Sequence, residues 1–425
     1  MLHINNMTVN IPVMYKERHI TNRLEGLLSY FPAVVLVGAR QTGKSTLLEH
    51  ILGQRAEFVV FDPLDDVENA RAEPELFLDN HKTPLVLDEI QYAPELVPVL
   101  KRRIDHDRSP GQYIITGSQQ WAVMKSLSES LAGRAVFLDL HGFSLQEIAE
   151  SRAPSWLAQW LETPNSEFLN RVEHIPTDDR LYERIWRGCL PEATLMPLQF
   201  VQDFHKGYLQ TYIERDARQF SDVSDWQLFS RFFRLTAACT AQEVNFSHLG
   251  RELGLNPQTA RRWLDILKAT FQWIEIPPYF GNTIKRICKS PKGYVADTGL
   301  ACHAQAVSTP NAVAAHPLWG SLFETAVVNE IQKHLSLMSP APNLYHWRTH
   351  RGAEVDILLE RDGTYYPLEI KASSQVSRKH TSGIQAFRKT YENIHTAPGL
   401  VVAPLEKPLP LSETDFAVPW DIQLR

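Results

Sequence analysis

The chain has 425 residues, 44% of them hydrophobic and 22% charged, with a formal net charge of −6. That length implies roughly two to four domains, each able to bury a core, and the composition is that of an ordinary globular protein rather than a disordered or collagenous one. No run approaches the roughly 18 consecutive apolar residues of a membrane span, and the acidic balance gives no global case for nucleic acid.

The opening segment MLHINNMTVNIPVMYKERH lacks a basic start followed by an apolar stretch, so no secretory signal is expected. Met14 offers an alternative start, and residues 1–30 read as a helical lead-in. The four cysteines, Cys189, Cys239, Cys288 and Cys302, are scattered without a C-x-x-C pair. They read as reduced thiols of a cytoplasmic protein, neither a disulfide framework nor a zinc site.

Over 31–140, short apolar runs alternate with longer amphipathic stretches: AVVLV (33–37), FVVF (58–61), PLVLD (84–88), YIIT (113–116) and AVFLDL (135–140). Near-continuous Val/Ile/Leu runs of this length suit parallel strands buried on both faces and joined by helical crossovers. The expectation is a doubly wound α/β domain.

The first run leads into VVLVGARQTGKSTLL, residues 34–48. Gly38, Ala39, Arg40, Gln41, Thr42, Gly43, Lys44 and Ser45, with Thr46 after them, match G-x-x-x-x-G-K-[ST] between a strand and a helix. The loop glycines let backbone N–H groups close on phosphates at a helix N-terminus. Lys44 would neutralise the outer phosphates and Ser45 would ligate Mg2+, so ATP and Mg2+ are the expected cofactors.

LVLDE (85–89) supplies a second half, with two carboxylates at the carboxyl end of a strand, where open α/β sheets bind ligands. Asp88 is expected to hold the magnesium and Glu89 to act as general base toward water. YIITGS ends in Thr116 and Ser118, polar groups able to sense the γ-phosphate. Arg134, before the last strand, reads either as a surface charge or as a finger reaching a neighbouring subunit's site.

Together GARQTGKS, LVLDEIQ, IITGSQQ and SLAGRAVFLDL resemble the AAA+ superfamily, and within it the bacterial and archaeal AAA-type ATPases that carry a C-terminal domain of unknown function. The resemblance runs over about residues 15–400. It implies nucleotide binding, a P-loop AAA+ parallel-sheet core, a homo-oligomer with a hexameric ring as one form, and Arg134 as the arginine finger.

Residues 141–225 read as a helical connector. Ser144 and Glu147 form a capping box, and 201–236 look helical. Tyr212, Ile213, Arg215, Asp216 and the stretch Gly188–Glu192 match the family's connector pattern without assigned chemistry. Residues 226–300 carry a helix-turn-helix rhythm, with one helix ending at Gly254, a turn at LNPQ, and a second helix starting near Pro257. Between 251 and 292, eight Lys/Arg face three acids, a local charge of 8 − 3 = +5. Arg261 and Arg262 on the second helix, with Lys285, Arg286, Lys289 and Lys292 where a wing would follow, are candidate DNA phosphate contacts. Winged helices also dock proteins, and both readings stay open.

In the last segment, 310–425, Asp362-Gly363 is a strong hairpin signal. A turn there puts Asp356 opposite Glu369 with Cβ atoms roughly 5 Å apart, and Lys371 on the same face. Like charges so placed call for a cation between them, a proton on one, or dilution by solvent. Glu324 lies on a helix apolar nearly all round, where unpaired charge is costly, and so does Glu330. Gly320-x-x-x-Glu324, Asp356 and Glu369-x-Lys371 resemble the PD-(D/E)xK nuclease superfamily, with Val355 departing from its proline. That resemblance implies a restriction-endonuclease-like α/β domain, metal at Asp356 and Glu369, and Glu324 and Lys371 as catalytic partners.

Two functions follow from different classes. One is an oligomeric Mg-dependent ATPase acting on structured or branched DNA. The other is a nucleotide-controlled switch that binds DNA or protein, with an inactive nuclease-like domain. No membrane partner is expected.

Overall fold

A computed structural model describes residues 15–61, 67–118, 131–176, 180–212, 225–281 and 290–425. The five apolar runs of the first domain become β1 (Ala33–Val37), β2 (Glu57–Val60), β3 (Leu85–Asp88), β4 (Tyr113–Gly117) and β5 (Ala135–Asp139). They form one parallel sheet in the order β2-β3-β4-β1-β5. The inner strands β1, β3 and β4 are buried throughout, while β2 and β5 at the edges are partly exposed. Separate apolar clusters cover the two faces: Val35, Leu87 and Ile115 point into one, Val34, Leu36 and Val86 into the other. This two-sided burial is what continuous Val/Ile/Leu runs require. It also brings the carboxyl ends of β1, β3 and β4 to one edge.

After β5 the chain turns helical. Ser144 and Glu147 form the capping box of a short helix, Leu145–Ile148. β6 (Val172–His174) pairs with a strand from the far end of the chain. Helices Val201–Thr211 and Trp226–Ala238 occupy the stretch expected to be helical; Ile213, Arg215 and Asp216 lie outside the described residues. β7 (Gln242–Glu243) precedes helices Phe246–Leu253 and Pro257–Ala269. Asn245 and Asn256 cap the two helices, accepting from the N–H groups of His248 and Thr259, and Gly254 ends the first at φ 70°. β8 (Trp273–Ile276) and β9 (Lys292–Val295) complete a small antiparallel sheet in the order β7-β9-β8.

The helix Trp319–Ser336 follows, buried from Leu322 to Leu335 at most positions. Its apolar residues join one continuous core with the connector, the helix pair and the last sheet: Phe229, Trp263, Leu322, Phe323, Ile357 and Leu368 all belong to it. That sheet is mixed and seven-stranded. It comprises β10 (Asn343–Arg348), β11 (Glu354–Arg361), β12 (Thr364–Ile370), β13 (His395–Thr396), β14 (Gly399–Ala403), β15 (Leu409–Pro410) and β16 (Asp415–Pro419). β17 (Ile422–Leu424) leaves it to pair with β6. The β11–β12 hairpin turns at Asp362 and Gly363, both at positive φ (53° and 78°), and its register runs from Arg361↔Thr364 to Ile357↔Leu368. This is the register expected from the Asp-Gly turn. Among the described residues no helix is long and apolar enough to cross a membrane.

Candidate nucleotide site and a carboxylate-rich second site

The loop after β1 is built for close backbone approach. A Cβ at Gly38 would come within 2.1 Å of the Leu140 carbonyl oxygen, so no larger residue fits there. Gly43 takes φ 90°, opening the helix Lys44–Leu52. The Lys44 ammonium, 5% exposed, folds onto the loop and donates to the carbonyls of Gly38 (2.9 Å) and Ala39 (3.0 Å). Thr42 Oγ1 donates to the Ala39 carbonyl at 2.9 Å, and the Arg40 guanidinium reaches Tyr92 Oη at 3.3 Å. Gln41 and Thr46 are exposed.

Because β3 lies one strand from β1 across β4, its end faces this loop. Ser45 Oγ donates to Asp88 Oδ2 at 2.5 Å, and Thr116 on β4 donates to Asp88 Oδ1. Glu89 has φ 58°, a left-handed backbone rarely taken by a side-chain-bearing residue. Its N–H donates to Thr116 Oγ1 at 3.1 Å, and its carboxylate accepts from Ser118 Oγ at 3.1 Å and from the Gln91 amide. A hydroxyl and a carboxylate within contact are a donor pair suited to a hard cation, and an ammonium resting on loop carbonyls is one that phosphate would draw away. The residues fit Mg-ATP.

Arg134 lies at the other end of the sheet. Ala135, the next residue, pairs with Ala33 at the amino end of β1, whereas the loop follows Val37. Across that strand, roughly 13 Å, Arg134 cannot serve its own chain's phosphates. It donates both ways to Asp105, at 2.6 and 2.8 Å, and this hydrogen bonding holds the Asp105 carboxyl below its usual range.

The second site gathers Glu324, Asp356, Glu369 and Lys371 as the hairpin register requires. Asp356 and Glu369 follow one step beyond the last paired residues, and both are buried. Asp356 Oδ2 accepts the Ile370 N–H at 2.9 Å and lies 3.6 Å from Lys371 Nζ, which is 2.7 Å from Glu369 Oε2. Glu324 Oε1 accepts from Tyr294 Oη at 2.7 Å. Lys292, expected among DNA phosphate contacts, is turned inward instead: its Nζ is 2.5 Å from Glu324 Oε1 and 3.2 Å from Asp356 Oδ1. The reason is its place as first residue of β9, beside the helix Trp319–Ser336.

The charges sort accordingly. Burial works against an ionised Asp356, but Lys292 and Lys371 outweigh it and hold the carboxyl below its usual range. Burial and then Asp356 push Glu324 up to about 7 and Glu369 up to about 8. Among the described residues, no group of three or more His, Cys, Asp or Glu side chains is arranged to hold a metal ion. The metal expected at Asp356 and Glu369 does not fit this arrangement, because lysines take the acceptor oxygens.

Arg261 and Arg262 are exposed on the helix Pro257–Ala269, Arg261 stacked over the Phe246 ring at 4.8 Å. Lys268 is committed to Glu275 at 2.7 Å. Lys285, Arg286 and Lys289 lie outside the described residues, as does Cys288.

Over 422 residues, 98% of this chain and 87% of the relative, the sequence is 31% identical to Uncharacterized protein Rv2008c of Mycobacterium tuberculosis. It matches Uncharacterized protein Mb2031c of Mycobacterium bovis to the same extent. The chain belongs to their family. Residues 30–149 match the AAA domain, residues 178–311 a Domain of unknown function (DUF8612), and residues 319–422 a Domain of unknown function (DUF4143). The nucleotide site above is therefore that of an AAA-type ATPase domain, and a C-terminal domain of unknown function follows it. Among solved structures, the Walker-type ATPase PABY2304 of Pyrococcus abyssi is 16% identical, covering 67% of this chain and 94% of that one at a TM-score of 0.40, a likeness too loose to argue from.

Ahead of the AAA match, the sequence alone did not single out Arg18. Only 5% exposed, it donates to the Thr42 carbonyl of the phosphate loop (2.8 Å), to the His141 carbonyl (2.6 Å) and to Glu147 (3.1 Å). Burial opposes the Glu147 charge, but Arg18 together with the N–H groups of Ser144 and His19 outweighs it and keeps that carboxyl low. Gln91 was visible only as part of the motif LVLDEIQ; its contact with Glu89 gives it a positioning role. Glu330, flagged as a buried charge, accepts the Leu145 N–H at 2.8 Å and pairs with Lys333 at 3.2 Å, so its partners are structural.

Proposed function

We propose that this protein hydrolyses ATP as a homo-oligomer and works on DNA. The observation that carries the reading is the convergence of Ser45, Asp88, Thr116, Ser118 and Glu89 at the carboxyl edge of one parallel sheet. Lys44 would leave the carbonyls of Gly38 and Ala39 for the β- and γ-phosphates, while the N–H groups of the loop and helix start hold the remaining phosphate oxygens. Ser45 and Asp88 would hold Mg2+, which when bound neutralises phosphate charge. Glu89, aimed by Ser118 and Gln91, takes the proton of the attacking water. Arg134, far from its own loop, would complete the site of a neighbouring copy in a ring.

The helix pair Phe246–Leu253 and Pro257–Ala269 beside the β7-β9-β8 sheet supports a winged-helix reading within 226–300, with Arg261 and Arg262 on duplex phosphate. We keep 31–140 as the ATPase core, 141–225 as connector and 310–425 as a nuclease-like domain. A second reading, a nucleotide-controlled switch that binds without cutting, is favoured by one observation: Lys292 and Lys371 occupy the oxygens of Asp356.

The test is steady-state ATP hydrolysis by the full chain, alone and with single-stranded, duplex and four-way-junction DNA, with product strands run on a gel. Lys44→Ala and Lys371→Ala run beside it. Stimulation by one DNA form, lost in Lys44→Ala, supports the enzyme. Slow turnover indifferent to DNA with intact strands supports the switch, and undiminished turnover by Lys44→Ala removes the phosphate assignment.

A further inference from the structure

Lys292 is an outsider to the carboxylate site. Asp356 and Glu369 belong to one hairpin and Glu324 to the helix packed beside it, whereas Lys292 comes from β9, paired with β7 and β8 in a different sheet. Its side chain is 12% exposed. It lines a cleft of about 390 Å³ together with His346, Arg348, Glu354, Glu324 and Asp356.

A hard divalent cation takes several carboxylate and carbonyl oxygens at about 2.0–2.6 Å and tolerates no ammonium among them. Here Lys292 Nζ lies between the nearest oxygens of Glu324 and Asp356, at 2.5 and 3.2 Å. The other Asp356 oxygen carries the Ile370 N–H and faces Lys371. A buried carboxylate is expensive without a counter-charge, so the ammonium is not incidental: remove it, and Glu324 loses its cation while Asp356 keeps only Lys371 at 3.6 Å.

We propose that Lys292 is the resident cation of this site and decides what it holds, excluding divalent ions while β9 lies against the helix Trp319–Ser336. Lysine and metal are alternatives, and the metal enters only when Lys292 is withdrawn. This deepens the reading of 310–425 as nuclease-like, and it explains why the acids of that signature are not gathered as ligands.

The test is Mn2+ uptake by the full chain without nucleotide, followed by loss of the free-ion electron paramagnetic resonance signal. Wild type, Lys292→Met, Lys292→Gln and Lys292→Met combined with Asp356→Asn are compared. Lys292→Met is expected to take up one Mn2+ at least about tenfold more tightly than wild type, and the Asp356→Asn double variant to lose it. Melting curves with and without Mn2+ guard against poor folding, since the ion should raise the melting temperature of the Lys292 variants and leave wild type unmoved. An Asp356-dependent Mn2+ bound equally well by wild type would overturn the proposal. So would Lys292 variants that take up no ion, or that stay unfolded even with it. Neither ATP hydrolysis nor strand cleavage enters these readouts, so the enzyme reading can fail while this one stands, and the reverse.

Discussion

Ser118 holds its hydroxyl 3.1 Å from Oε2 of Glu89, and the Gln91 amide reaches the same carboxylate. The glutamate is thus aimed by its neighbours from a left-handed backbone that costs on the order of 1 kcal/mol or more to maintain. Glu89→Gln should leave ATP affinity intact and lower turnover by about 10²–10⁴-fold, the usual contribution of a positioned base. Phosphate release and nucleotide binding measured on the same preparation check this; an unchanged kcat removes Glu89 from the chemistry.

Arg134 is tethered to Asp105 on its own subunit, at the sheet edge away from the phosphate loop. If it serves a neighbour, Arg134→Ala should cut turnover by about 10³-fold. Mixing it with Glu89→Gln subunits should then restore activity, because one interface combines an intact glutamate with an intact arginine. Mixtures no more active than either parent would argue for a surface charge.

Arg18 and Glu147 form a buried ion pair, and Arg18 also holds the Thr42 carbonyl. Arg18→Met leaves Glu147 with backbone donors alone, so a loss of about 3–5 kcal/mol in stability is expected. ATP affinity should weaken too, since the phosphate loop loses its backing. Chemical denaturation with nucleotide titration separates the two effects; a variant as stable as wild type would show that the pair carries little.

Burial holds His141, His334 and His346 down to about 4, from an ordinary 6.5. Between those values the unfolded chain binds protons that the folded chain refuses, so stability is lost as pH falls through that window. Each histidine contributes up to about 3 kcal/mol. His334→Gln should lessen the fall in melting temperature from about pH 6.5 to pH 4 relative to wild type. Parallel slopes would mean that His334 does not carry this dependence.

Arg261 and Arg262 offer a salt-dependence test. If each neutralises a duplex phosphate, replacing either with alanine should reduce the slope of log affinity against log salt by about 0.9. Fluorescence anisotropy over a salt series reads this directly, and an unaltered slope places the arginines off the DNA.

What was legible in the sequence is what depends on local period and local turns. Five apolar runs announced five parallel strands, the glycine pattern announced the phosphate loop, and Asp362-Gly363 fixed the hairpin register that aligns Asp356 with Glu369. Lys292 was misread because counting charge along a segment assumes that the charges are exposed. Its partners, Glu324 and Asp356, are 32 and 64 residues further on, in elements whose packing no local pattern encodes. Arg18 escaped for the same reason: its acid, Glu147, is 129 residues away.

The helix Trp319–Ser336 bears on how such proteins are inherited. The AAA match ends at residue 149, yet Leu145 N–H and the Phe143 carbonyl find their partners in Glu330 and Lys333, past the 178–311 match and inside the one that spans 319–422. An ATPase module exchanged at that boundary against an unmatched helix would leave both groups buried without these partners, at about 1–3 kcal/mol each. Exchange of ATPase modules between relatives would thus succeed only when the loop after β5 and this helix travel together, so the two regions should descend as a matched pair.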